Sequence, residues 1–138
     1  MGNPNTTVRV NLRADPGPAP GTVAWNSTVS FHPPGPGHGN GNRFEITAPG
    51  EAEILFDLDD RSGLQLRFRP SANEAFWIQQ GTSCPNGPGD GGGQFAVDRV
   101  QNTRLTVTDF HTDSDEYCYA LRFDSNQGLQ VFDPIIKN

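Results

Sequence analysis

The sequence predicts an all-β domain built from short antiparallel strands in two sheets packed face to face. Three observations carry that expectation. Apolar residues recur at every second position in one segment after another, the side-chain period of a strand with one buried face. Clusters of Gly, Pro, Asn and Asp separate those segments and supply turn chemistry. No stretch sustains the i, i+3, i+4, i+7 spacing of an amphipathic helix. Because only one face of each segment is apolar, the strands read as antiparallel; buried parallel strands run as continuous apolar stretches.

The first segment, Thr6 to Arg13, sets Val8, Val10 and Leu12 against Thr7, Arg9, Asn11 and Arg13. The run from Asp15 to Gly21, with prolines at 16, 18 and 20, breaks it. Thr22 to Phe31 then places Val23, Trp25, Val29 and Phe31 on one face, interrupted only by Ser27. Residues 32–42 form a long Gly/Pro loop. Arg43 to Thr47 is a short strand, and Glu51 to Leu58 keeps Ala52, Ile54, Phe56 and Leu58 in phase. A tight loop from Asp59 to Gly63 leads to Leu64, Leu66 and Phe68, which alternate with Gln65, Arg67 and Arg69. Phe76 to Gln79 precedes a second long Gly/Pro loop, residues 81–93. The strands Phe95 to Val100, Thr103 to Phe110, Glu116 to Phe123 and Leu129 to Phe132 complete the series.

The last pair carries the sharpest signal. Tyr117, Tyr119, Leu121 and Phe123 alternate with Cys118, Ala120 and Arg122, which places the tyrosines inward and Cys118 outward. Ser125 to Gly128 is turn chemistry, and Leu129 to Phe132 returns as a hairpin strand that Pro134 is expected to end, since proline has no N–H to donate. The stretch from Asp113 to Tyr119 resembles the tyrosine corner of immunoglobulin-like domains, in which a Tyr at the start of a strand ties back to a nearby backbone group. The position that is often the disulfide cysteine in that family is Tyr119 here. The resemblance therefore implies an immunoglobulin-like antiparallel sandwich, of roughly eight to ten strands, without the antibody-type disulfide. The ending, Phe132 to Asn138, is similar to that of small bacterial β-rich proteins grouped as the DP-EP family, and that likeness implies no activity.

Composition bounds the rest. The 138 residues suit a single domain, 1–138, with one core. Sixteen glycines and twelve prolines make about a fifth of the chain, short of the ~25–30% that marks low complexity. A net charge of -6 and arginines spread singly along the strands argue against nucleic-acid binding, which needs clustered cations. No apolar run approaches the ~20 residues that span a membrane, and the first residues lack the basic and apolar regions of a signal peptide, so no membrane partner and a cytoplasmic location are expected.

Chemistry is sparse. His32 and His38 flank the first long loop, and Asp113 and Asp115 lie near the final strands; together they make the alternative reading, a metal- or small-ligand-binding domain. No Cys or His pair has the two-to-four spacing of a structural zinc site, and a blue-copper site would need a His beyond Cys118. No Gly-x-Ser-x-Gly occurs, and Cys84 sits among Asn, Asp and Gly with no electropositive neighbour. A Cys84–Cys118 disulfide is possible on spacing and disfavoured in the cytosol. The reading that results is a non-enzymatic binding or self-assembly module without a cofactor. Its partner is a protein or a second copy, met through the two long loops or the sheet edges. Contact residues are expected at Trp77, His32, His38, Asn40, Asn86 and Asp90.

Overall fold

The computed structural model describes residues 6–32, 37–39, 43–46, 50–81, 83, 85, 87–89, 93–110, 116–132 and 135–137, without the side chains of 37–39, 135 and 137. The architecture is the expected all-β sandwich. Among the described residues, eight strands of four residues or more are joined by four of two or three. In chain order they are β1 (Thr6–Pro16), β2 (Val23–His32), β3 (Gly37–Gly39), β4 (Arg43–Ile46), β5 (Ala52–Asp60), β6 (Arg67–Phe68), β7 (Phe76–Gln80), β8 (Phe95–Val100), β9 (Arg104–Asp109), β10 (Glu116–Asp124), β11 (Gln130–Phe132) and β12 (Ile135–Lys137). One helical turn, α1 (Ala72–Ala75), precedes β7.

The first sheet runs β2-β1-β5-β9-β8. The second is organised on β10, with β6 and β7 along one side, β11 and β12 along the other, and β4 and β3 beyond β12. The alternation seen in the sequence decides which side chains meet between the layers. Val8, Val10, Leu12 and Ala14 of β1 are essentially fully buried, as are Tyr117, Tyr119, Leu121 and Phe123 of β10. Aromatic contacts stitch the layers: Phe56 lies 5.4 Å from Tyr119 between ring centroids, Trp25 5.1 Å from Phe123, and Phe95 5.0 Å from Tyr117. Such pairs contribute about 0.5–1.5 kcal/mol each beyond the area they bury.

Several details depart from the expectation. Two pairings are parallel: β1 with β5, Val10 opposite Phe56, and β12 with β4, Ile136 opposite Phe44. A parallel pair needs a long crossover, and residues 17–51, which include β2, β3 and β4, provide it for β1 and β5. The first Gly/Pro segment is not loop throughout, because Gly37–Gly39 pairs with β4. β11 pairs with β10 as far as Phe132, opposite Leu121, and a further strand, β12, pairs with β10 from Ile135, opposite Cys118; Pro134 itself lies outside the described residues.

Leu64 to Leu66 is turn rather than strand. The Asp60 carboxylate accepts hydrogen bonds from Ser62 N, Ser62 Oγ and Leu66 N at 3.0, 2.6 and 2.8 Å, and Gln65 sits at φ 57°. A local side-chain acceptor wins over the strand pattern there. Burial pushes the Asp60 carboxyl up, yet the bonds from Ser62 and Leu66 outweigh it and leave the group below its ordinary range.

The outward phase of Cys118, Ala120 and Arg122 holds, but none of the three is open to solvent. The Trp77 ring covers Arg122, with the guanidinium carbon 3.8 Å from the ring centroid, and Cys118 is disulfide-bonded. Cys84, the chain's other cysteine, lies outside the described residues. In the final hairpin, Gly128 takes φ 91°, a conformation that a side chain would strain, while Ser125 Oγ accepts from Gln127 N and donates to Gly128 O.

Candidate functional site

The faces, loops and edges of a sandwich are its candidate contact surfaces, and the described edges differ sharply. β8 closes one side of the first sheet with six residues. A bulge between Val97 and Arg99 breaks its register, and Asp98 and Arg99 place charge on it. Short length, bulges and charge are the devices that stop one edge from pairing with another. In the second sheet, β3 offers three residues. The outer side of β7 is covered: Ile78 N donates to Gly89 O at 3.1 Å, and Gln79 Nε2 donates to Ser83 O. A Cβ on Gly89 would stand 3.0 Å from Ile78 O, so this close cover depends on glycine.

β2 has none of these protections. It is ten residues long, about 33 Å at strand rise, and among the described residues pairs only with β1, from Val23 opposite Pro16 to His32 opposite Thr7. Residues 23–31 include no charged side chain, proline or glycine. No described residue beyond β1 bonds to the β2 backbone. The inner row, Val23, Trp25, Ser27, Val29 and Phe31, is therefore only half-buried, whereas the facing row of β1 is closed. The cause is positional, since the neighbour that would cover this row on its far side is absent from the sheet order. The row is nonetheless held firmly: Trp25 stacks on Phe123 and Phe132, and Phe31 on Phe44.

The outer row of β2, Ala24, Asn26, Thr28, Ser30 and His32, borders a cleft of about 440 Å³ in which Asn11, Arg13, Asn26, Asp57 and Asp59 stand beside Leu12 and Leu58. Its charges are internally matched. Asp15 receives Arg13 and Asn26, both at 2.9 Å, and Asp57 lies between Arg9 and Arg104. The hydrogen bond to Asp57, reinforced by its charge, holds the Arg104 guanidinium above its ordinary range. A second, apolar cavity of about 530 Å³ opens between α1, Pro88, Gly89 and β8, floored by Phe76 and Phe95. None of its described lining residues titrates.

The residues singled out in the sequence fall in different places. Trp77 is half-buried; its indole N–H donates to Asn73 O at 2.7 Å and its ring carries Arg122. Arg122 Nη1 also donates to Glu74 O and Oε2, at 3.1 and 3.0 Å. Arg69 joins Glu74 at 3.2 Å, and its Nε lies 3.4 Å from Asp124 Oδ1 without hydrogen-bond alignment. Trp77 thus belongs to a clamp between α1 and β10 rather than to an open platform. His32 is exposed at the end of the β2 outer row, its Nε2 3.4 Å from Ser30 Oγ. His38 lies in β3 opposite Glu45. Asn40, Asn86, Asp90, Asp113 and Asp115 lie outside the described residues. Among the described residues, no three His, Cys, Asp or Glu are grouped to hold a metal ion.

The β2 edge was not singled out from sequence. The available signal was the absence of charge from Val23 to Phe31, but only the strand order reveals that this segment is an edge. No helix among the described residues is long and apolar enough to cross a membrane. No family model matches the chain. No curated protein matches it either.

Proposed function

We propose that the protein is a binding or assembly module that works by accepting an extended strand along β2. The observation that supports this most is the contrast between edges: β8 is bulged and charged, β7 is covered, β3 is short, and β2 is long, uncharged and open. Adding a strand would satisfy the outward N–H and C=O groups of β2 and cover its half-buried inner row in one step. Backbone hydrogen bonds would supply affinity, and the alternating side chains would set which strands fit.

The two long Gly/Pro segments keep a supporting role in this reading. Part of the second covers the β7 edge at Ile78 and Gln79. The bonded Cys118 favours an oxidising compartment over the cytoplasm, because thiols in the cytosol are kept reduced.

A fluorescein-labelled peptide copying residues 23–32, solubilised by terminal lysines, tests the reading in a fluorescence-polarisation titration with the protein. Saturable binding is expected, and it should vanish for a peptide whose inner-row residues are replaced by Asp. Absence of binding, or equal binding of both peptides, would overturn the proposal.

A further inference from the structure

We infer that the strand added at β2 is the β2 of a second copy of this chain, antiparallel, with the two-fold axis passing at Ser27. The inference rests on the strand-addition reading and names its occupant. It starts from charge. The chain carries a net charge of -6, so two copies repel on average, and like charges placed opposite one another across a strand pair are unfavourable. From Val23 to Phe31 there is no charge to repel.

Side-chain rows then select the register. Opposite residues in an antiparallel pair point to the same face, so a slip of one residue sets inner row against outer row. With Ser27 on the axis, Val23 faces Phe31 and Trp25 faces Val29 of the second copy, so apolar residues meet on the core side. On the outer side Ala24 faces Ser30 and Asn26 faces Thr28. The next register of correct phase puts Thr28 on the axis and sets Ser27 against Val29, an apolar–polar mismatch in the inner row. Pairing about Ser27 would make the two five-stranded first sheets one continuous sheet and close the exposed side of Trp25 in both copies. A closed two-fold dimer uses the same patch twice and leaves no open edge at β2 for further growth.

Two double variants test the pairing and its register by sedimentation over a concentration series. In N26K/T28E, each Lys faces one Glu of the other copy, which makes two opposite-charge pairs per dimer; in N26K/T28K, each Lys faces a Lys. Both carry the same change at Asn26, which removes its bond to Asp15, so that loss cancels in the comparison. Both sites are exposed, and thermal melts verify that each variant folds. The wild type should dimerise, and the dissociation constants of the two variants should differ by about tenfold or more, with N26K/T28E the tighter. With Thr28 on the axis N26K/T28E sets Glu against Glu and N26K/T28K sets Lys against Lys, so equal association of the two variants, both weaker than the wild type, overturns the register about Ser27, and association of both unchanged from the wild type overturns β2–β2 pairing. A wild type that stays monomeric while still binding the 23–32 peptide overturns the second copy as occupant and leaves strand addition standing; a monomer that ignores the peptide removes both.

Discussion

Replacing Tyr119 with phenylalanine should stabilise this protein, although most core substitutions weaken a fold. Tyr119 is fully buried between Phe56 and Phe76, 5.4 and 5.8 Å away between ring centroids, and its hydroxyl has no hydrogen-bond partner among the described residues. Burying an unbonded hydroxyl costs about 1–3 kcal/mol on mutational scales. Deleting one oxygen leaves a small void, which returns only a few tenths of a kcal/mol of that gain. Tyr119→Phe should therefore raise stability by about 1 kcal/mol, equivalent to about 3 °C in Tm for a domain of this size. A second signature comes from pH. Burial pushes the Tyr119 hydroxyl well above its ordinary value, so the folded state resists ionisation. That contribution is fully present below the unfolded value near 10 and is lost as pH rises toward the folded one; the variant should lack this alkaline loss. Urea unfolding of both proteins at neutral and alkaline pH is the assay. A variant less stable than the parent by 1 kcal/mol or more would refute the reasoning, because it would mean that the hydroxyl is bonded in the folded protein.

The other expectations concern the Asp60 turn and Cys118. Asp60→Ala leaves Leu66 N and both Ser62 donors without their acceptor and should cost about 1–2 kcal/mol in chemical denaturation. Because the Asp60 carboxyl is lowered in the folded state, its contribution is present above about pH 4 and fades as pH falls through the lower folded value; the Ala variant should show a shallower acid loss. Cys118→Ala removes the disulfide and should cost about 2–4 kcal/mol, read as a fall in Tm matched by adding a reductant to the parent; a reductant without effect would count against a structural role for the bond.

What was legible in the sequence was local. Side-chain phase depends on a residue's immediate neighbours, so the inner rows of β1, β5 and β10 could be read directly, and Phe95–Val100 matches its strand end to end. Pairing partners are a tertiary choice. Nothing near Val10 announces that Phe56 lies beside it in a parallel strand, nor does anything near Cys118 announce Ile135 across Pro134. The alternation from Leu64 to Phe68 misleads because the Asp60 carboxylate captures the Leu66 amide and bends the chain. Arg122 is outward in phase yet buried, because Trp77, more than forty positions earlier, lays its ring against the guanidinium, and the likewise buried Cys118 is disulfide-bonded. The candidate interface was half legible: the uncharged run from Val23 to Phe31 is plain, but edge and centre are properties of strand order.

Amide hydrogen exchange along β2, followed as protein concentration rises, tests the central claim most directly. In dilute solution alternate amides of β2 should exchange fast, since half of them point away from β1 and toward no described acceptor. Those same amides should slow as the concentration increases, while the β8 amides stay unchanged. Uniform protection of β2 in the dilute monomer would contradict the account, because it would mean that the edge is already covered; so would slowing confined to β8.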